Sequence, residues 1–443
     1  MSSSFHREYS RRDWLRISLA SVCGVSYSGW LPKLARAAVE QNKPRACIVL
    51  WMSGGPAQTD TFDMKPDHKN GGTFKPIETA VPGIKISEHL PGLAKQMKDM
   101  AIIRSMATTE GDHGRGTQLM LTGYSPGNVA VRYPSLGSLV SKEIGRRDNE
   151  LPNYVSLSTF QFAPNVNGPG FLGPQYAPLV VSGDSDNPQA RANLSIDNLR
   201  PPLGVDEQSL KNRVGVLDFL QKRFAAQATS ESAKAHKANY ERAVRMVESQ
   251  AKHAFRLDEE TNELRDKYGR SRFGQGCLLA RRLVERGVPF IEVALSQVNN
   301  SPVSWDTHTD NFARVRELSE VLDPAWATLM DDLRERGLLD STLIVWMGEF
   351  GRTPAINPNG GRDHFPAAWS TVLAGGLVKG GQVIGDTGKD GVQVVDRPVT
   401  TKDFYATICS ALGIDPEGEN ISTEGRPIRV VDQGGKPIRE LVG

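Results

Sequence analysis

The run Ala46-Cys47-Ile48-Val49-Leu50-Trp51-Met52, which breaks off in Ser53-Gly54-Gly55-Pro56, constrains the fold more than any other stretch of the chain. It shows no polar alternation, so it is not the half-solvated strand of an open antiparallel sheet. It reads as a strand buried on both faces that enters a loop. The pattern recurs at Met100–Ser105, Asn153–Leu157, Pro178–Val181, Pro289–Leu295, Ser341–Met347 and Ser370–Leu373. Between these strands, Leu93–Lys98, Thr117–Thr122, Tyr133–Gly145, Gly274–Arg286, Asn311–Arg336 and Thr401–Leu412 read as helices. Alternating strands and helices predict an α/β fold, a mostly parallel sheet sandwiched by helices, whose ligands sit beyond the carboxyl ends of the strands. The loops after Met52, Ser105, Leu295 and Met347 are therefore where chemistry is expected.

The first forty residues follow a different plan. Ser10-Arg11-Arg12-Asp13-Trp14-Leu15-Arg16 precedes a modest apolar run from Ile17 to Leu31 and then Ala35-Arg36-Ala37. Paired arginines, a weakly hydrophobic core and small residues at a cleavage-like site make residues 1–40 a twin-arginine export signal. The apolar run falls short of the roughly 20 residues that span a bilayer, so no stable membrane span is expected after processing. The expected location is periplasmic or extracellular, with the twin-arginine export machinery as a partner. Residues 41–443 are read as one domain. Its stretch Asp206–Lys267, charged, Ala-rich, free of Pro and nearly free of Gly, reads as a helical insertion, either a cap, a dimerisation arm or a solvated hairpin without chemistry. Near the end, Gly425-Arg426-Pro427-Ile428 and Gly435-Lys436-Pro437-Ile438 repeat a short pattern that suggests a hairpin.

Charge excludes one class of partner. Fifty-three basic against fifty-one acidic residues leave +2, too little for a global field that would hold nucleic acid. The four cysteines, Cys23, Cys47, Cys277 and Cys409, have neither CxxC spacing nor the density of a disulfide scaffold. The three beyond the leader sit in apolar stretches and read as small buried hydrophobes.

Of eight histidines, His113, His308 and His364 keep company with acids, Gly and Pro, whereas His68 and His89 do not, and His236 and His253 go with the charged insertion. Trp305-Asp306-Thr307-His308-Thr309-Asp310 opens the helix near Asn311, where Asp310 reads as its cap. An Asp and a His two residues apart can face one ion from an extended backbone, and imidazole with carboxylate suits a transition metal. After Met347 come Gly348-Glu349-Phe350-Gly351-Arg352-Thr353-Pro354 and Gly361-Arg362-Asp363-His364-Phe365-Pro366. Glu349 there is poised over the sheet crevice, and Arg352 and Arg362 either grip an anion or pin the loops through ion pairs. Glu110-Gly111-Asp112-His113-Gly114-Arg115-Gly116 leads into a helix start, a place that attracts anions.

WMSGGPAQTDTFD, LLARRLVERGVPFIEV, SWDTHTDNF, GEFGRTP and GRDHFP, behind such a leader, resemble the domain of unknown function 1501 family almost end to end, from about Lys43 to Ile438. The resemblance implies an alkaline phosphatase-like core, shared with sulfatases and phosphatases that act on sulfate or phosphate esters at one or two metal ions. Thr117–Gly123 (TQLMLTG) resembles the end of the sulfatase pattern C-x-P-S-R-x-x-x-L-T-G, and counting back puts His113 where its Cys stands. No formylglycine can form there. By the same resemblance Asp306, His308 and Glu349 hold a divalent metal (zinc, manganese or calcium), with Asp363 beside them. Ser53 stands where a metal-binding Asp is usual, so Asp60 or Asp63 would reach in from the loop. His113, Arg352 and His364 are the implied catalytic residues. Two functions follow as expectations: a metal-dependent hydrolase of a small-molecule or polysaccharide ester, or a non-catalytic binding or structural protein on the same fold.

Overall fold

The computed structural model describes residues 45–127, 131–146, 148–157, 168–183, 194–195, 250–296 and 305–442, with isolated positions between 208 and 219. The leader and most of the expected insertion lie outside the described residues. The insertion is described from Gln250, where it forms the short turns Gln250–Phe255 and Leu257–Glu259 and the six-residue helix Asn262–Lys267.

Nine strands form one sheet. In chain order they are β1 (Ala46–Met52), β2 (Met100–Met106), β3 (Tyr154–Leu157), β4 (Leu179–Gly183), β5 (Leu194–Ser195), β6 (Phe290–Leu295), β7 (Thr342–Met347), β8 (Trp369–Ala374) and β9 (Gln382–Ile384). Across the sheet they run β9-β2-β8-β7-β1-β6-β3-β4-β5. β1 pairs in parallel with β6 and β7, and β3 with β4 and β6, while β8 is antiparallel to β2 and β7. The sheet is thus mostly parallel, as the strand pattern predicts.

The sequence of β1 explains its central place. Ile48, Leu50 and Met52 face one buried layer, and Cys47, Val49 and Trp51 face the other. A strand whose alternate side chains enter two dry cores has no room for polar residues. One layer is closed by helices α1 (Pro91–Gln96), α4 (Arg272–Glu285) and α5 (Asn311–Glu335), and the other by α2 (His113–Thr122), α3 (Leu136–Glu143) and α6 (Thr401–Leu412). Cys47, Cys277 and Cys409 are buried and unpaired, and burial pushes the thiol of Cys409 up to about 12. Among the described residues no helix is long and apolar enough to cross a membrane.

Three local expectations change. α2 starts at His113 rather than Thr117, with the Asp112 side chain accepting from the Arg115 N–H at 3.0 Å. Asp310 does not cap α5, because its backbone is left-handed (φ 51°) and its side chain makes no cap bond. The terminal hairpin pairs Glu419–Ile421 with Pro427–Arg429 instead of two Gly-x-Pro-Ile repeats.

β1, β6 and β7 end level, since Met52 lies opposite Leu295 and Trp51 opposite Met347. β2 runs the same way, being antiparallel to β8 as β7 is. All four expected loops therefore leave one edge of the sheet.

Candidate functional site

The loop after β1 turns at Gly54 and Gly55, at φ 106° and 79°. A Cβ on Gly54 would lie 2.3 Å from the Asp306 nitrogen, so only glycine lets the segment after β6 come this close. The Trp305 N–H donates to Ser53 O at 3.0 Å and seals that approach. From the next loop, Arg352 enters fully buried; its Nε donates to Gly55 O at 3.1 Å, one terminal nitrogen donates to Arg362 O at 3.2 Å, and the other bonds both Gly54 O and the Asp306 carboxylate. A two-residue ladder sets Arg352 opposite His364, which brings His364 to the same place.

Three imidazoles meet here, and each is held from behind at Nδ1. His113 Nδ1 is 2.7 Å from Glu349 Oε1, His308 Nδ1 is 2.7 Å from Asp363 Oδ1, and His364 Nδ1 is 2.7 Å from Gly111 O. Carboxylate and carbonyl oxygens only accept, so each Nδ1 holds a proton against its partner, and each Nε2 is the nitrogen turned to the centre, where it donates a second proton or, with a metal bound, offers its lone pair. The three Nε2 atoms face Asp306: His308 at 3.0 Å and His364 at 3.2 Å from Oδ1, and His113 at 3.3 Å from Oδ2. His308 Nε2 and His364 Nε2 are 3.1 Å apart. His113, Asp306 and His364 offer ligand atoms all within 4.8 Å of one another.

Three imidazole nitrogens crowded on one carboxylate need positive charge among them, either protons on the rings or a metal ion. The ligands of a tetrahedral ion with bonds near 2.0–2.1 Å stand about 3.3 Å apart, close to the three Asp306–imidazole separations and to that between His308 and His364; His113, Asp306 and His364 are the mutually close set, which His308 joins through Asp306 and His364. Three nitrogens and one carboxylate suit zinc or another transition metal, whereas calcium takes six to eight oxygens. The residues present therefore fit a bound transition metal. A proton is the competitor. Burial opposes charge on His113, but its hydrogen bonds to Asp306 and Glu349 outweigh that and raise it to about 9. Burial likewise opposes charge on Asp306, yet bonds from His113 and His364 and the Arg352 guanidinium hold it well below the usual carboxylate range. Asp363 is lowered by its bond to His308.

The residues singled out from sequence divide in two. His113, Asp306, His308 and His364 converge. Glu349 supports a ligand from behind with one oxygen, Oε1 accepting from both the Gly54 N–H, at 2.8 Å, and His113, while its Oε2 is buried with no described hydrogen-bond partner. Asp363 stands behind His308 in the same way. Arg352 has every direction of its guanidinium engaged and grips Asp306 rather than an outside anion. Asp60 lies elsewhere in the loop, fully buried, with both oxygens on Arg362 at 2.7 and 2.8 Å and a bond from Asn311 Nδ2 at 2.7 Å. Its partners exclude it from the cluster. Asp63 pairs with Lys65 at 2.8 Å and with Thr387. His68 and His89 make local contacts, with the Asn70 N–H and the Phe74 ring.

Two participants escaped the sequence reading. Phe350 packs its ring 5.0 Å from His113 and 4.7 Å from His364, walling the cluster. Asn357 donates from Nδ2 to His308 O at 3.0 Å and to Asp363 Oδ1 at 3.2 Å. Its place in the Gly- and Asn-rich turn was the available signal.

A mostly parallel sheet between helical layers, with histidines and an aspartate gathered at its carboxyl edge, defines an α/β protein with a polar centre at the ends of its strands. The chain belongs to the family described as "Protein of unknown function (DUF1501)", which matches residues 44–442. No curated protein matches the chain. Among solved structures it is similar to a sulfatase from Pseudoalteromonas sp. (15% identity, 87% of this chain and 70% of that one, TM-score 0.40). It is also similar to a protein in the alkaline phosphatase superfamily from Vibrio parahaemolyticus (11%, 84% and 67%, TM-score 0.35). A third is a phosphonate monoester hydrolase from Silicibacter pomeroyi (11%, 89% and 76%, TM-score 0.37).

Proposed function

We propose that the chain is an exported hydrolase of sulfate or phosphate esters that works with one transition-metal ion, zinc or manganese rather than calcium. The observation that carries this is the convergence of three Nε2 atoms on the Asp306 carboxylate, each ring turned by an acceptor at Nδ1. His113, His308, His364 and Asp306 would hold the ion, and Glu349, Asp363 and the Gly111 carbonyl keep the rings in register. When bound, such an ion supplies Lewis-acid polarisation of an ester oxygen. Arg352 neutralises and fixes Asp306 from behind, and Phe350 keeps water from the ring faces of His113 and His364.

His113 is then a ligand and not a nucleophile, because one lone pair cannot serve both roles. The cysteines at 47, 277 and 409 are buried in the two cores, so catalysis uses no formylglycine from them. The paired Arg11 and Arg12 support export to the periplasm or beyond, and the substrate is a small-molecule or polysaccharide ester.

The test is metal analysis of chelator-stripped and reloaded protein, together with turnover of an aryl sulfate and aryl phosphate panel. About one zinc or manganese per chain, lost in His113→Ala and His364→Ala, with turnover that follows metal content, is the expected result. Metal without turnover of any ester would leave the binding-protein reading. That second reading has one observation in its favour: the guanidinium groups of Arg352 and Arg362 are both buried and engaged within the protein, so neither is offered to an anion.

A further inference from the structure

The three imidazole supports differ in kind. Glu349 is fully buried and Gly111 acts through its backbone, so the fold itself fixes His113 and His364. His308 is 44% exposed and its supporting carboxylate, Asp363, 53% exposed. An exposed pair in water is worth little by itself and is free to rotate away. Something has to hold it.

Asn357 meets that need. One amide nitrogen reaches both the His308 carbonyl and the Asp363 carboxylate, the two ends of the arm that aims the ring. Its amide oxygen is fixed in turn, accepting the N–H groups of Asn359 at 3.0 Å and Gly361 at 2.9 Å. The turn is also laced to the segment that follows His308, since the Asn311 N–H donates to Gly360 O at 3.1 Å. A Cβ on Gly361 would lie 1.9 Å from His308 O, which shows how closely the turn is seated. On the other side, the Asp363 N–H donates to Thr353 Oγ1 at 3.0 Å, and the Thr353 N–H to Asp363 O at 2.8 Å.

We propose that Asn357 and Asp363 are positioning residues, which act in series to select the Nδ1–H tautomer of His308 and aim its Nε2 at Asp306, so that this surface arm sets the affinity of the centre for its metal. The inference rests on the metal-site reading above. It adds that one of the four ligands is held by an exposed relay rather than by the core.

Two measurements test it on the full chain. In metal-free protein, nitrogen-15 spectra of labelled histidine should show His308 protonated at Nδ1 in wild type and in Asp363→Asn, which keeps an acceptor oxygen. The preference should disappear in Asp363→Ala. In zinc competition against a chelator, Asp363→Ala and Asn357→Ala should each weaken binding about 10- to 100-fold, the usual cost of removing such a support, with the thermal midpoint of metal-free Asp363→Ala unchanged. Asp363→Asn should recover part of the loss. Unchanged zinc affinity in folded Asp363→Ala, or an unchanged His308 tautomer, would overturn the relay. If Asn357→Ala fails to fold, the exposed Asp363→Ala variant decides alone. If wild type binds no zinc, the metal-site reading falls, and the tautomer measurement still decides whether the arm orients His308.

Discussion

Glu292→Gln should make the protein more stable at pH 8 while changing little at pH 5. Glu292 lies in the middle of β6, between Val49 of β1 and Ser156 of β3, and is 2% exposed. Its only described side-chain partners are the Tyr154 and Ser156 hydroxyls, which donate to one oxygen at 2.9 and 3.1 Å. Among the described residues no cation is paired with it, so burial raises the carboxyl to about 7 against those two stabilising bonds, from an ordinary 4.5. The sign follows from proton counts. Between 4.5 and 7 the folded state holds a proton that the unfolded state has released, so stability is fullest below the lower value and falls as pH rises through the upper one. At about 1.4 kcal/mol per unit, the wild-type chain loses about 2.5 kcal/mol between pH 5 and pH 8 through this one group. Glutamine keeps the acceptor and removes the charge. Urea midpoints of both chains at the two pH values give the answer: the difference between variant and wild type should widen toward pH 8. Parallel curves would show that Glu292 is charged and compensated in the fold, and would refute the reasoning.

Gly54→Ala should cost about 1–3 kcal/mol in backbone strain alone and should also push Asp306 out of place, which circular dichroism melts and zinc content would register together. Glu349→Gln should lower zinc affinity about 10- to 100-fold while the chain stays folded, because the ring of His113 loses its charged support; chelator competition measures it. Replacing Arg11 and Arg12 together by Lys should trap the precursor in the cytoplasm, and a fractionated reporter fusion that still reaches the periplasm at the wild-type rate would end the twin-arginine reading.

The strands were legible because burial on both faces leaves an unbroken apolar run, and β1 has no other explanation. β9 was not, since a three-residue edge strand buries too little to leave a pattern. The start of α2 was hidden by Gly114 and Gly116, residues that argue against a helix on propensity. Packing overrides that preference: a Cβ on Gly116 would press Phe350 at 3.1 Å and Glu349 at 3.2 Å, so the helix needs its glycine to approach the site. For the centre itself, spacing brought out Asp306, His308, Asp363 and His364, since an Asp and a His in one loop advertise themselves. What spacing cannot encode is which ring nitrogen faces which neighbour. That distinction separates His113 and His364, which face inward, from Glu349 and Asp363, which stand behind. Nor could it pair Asp60 with Arg362, 302 positions away, and so remove Asp60 from the ligand set.

The rings of the centre come from α2, from the loop after β6 and from the ladder after β7, and the acceptor of His364 lies 253 positions before it. A nascent chain released as far as His308 thus owns three of the four proposed ligands but only the affinities of loose side chains. Those take whatever ion is abundant, with copper ahead of zinc and zinc ahead of manganese. Only the closed sheet imposes spacing and tautomer, and with them a choice. Whichever compartment sees the sheet close is therefore the one whose ions the protein samples, and a chain cut anywhere between Gly111 and His364 forfeits that choice along with its shape.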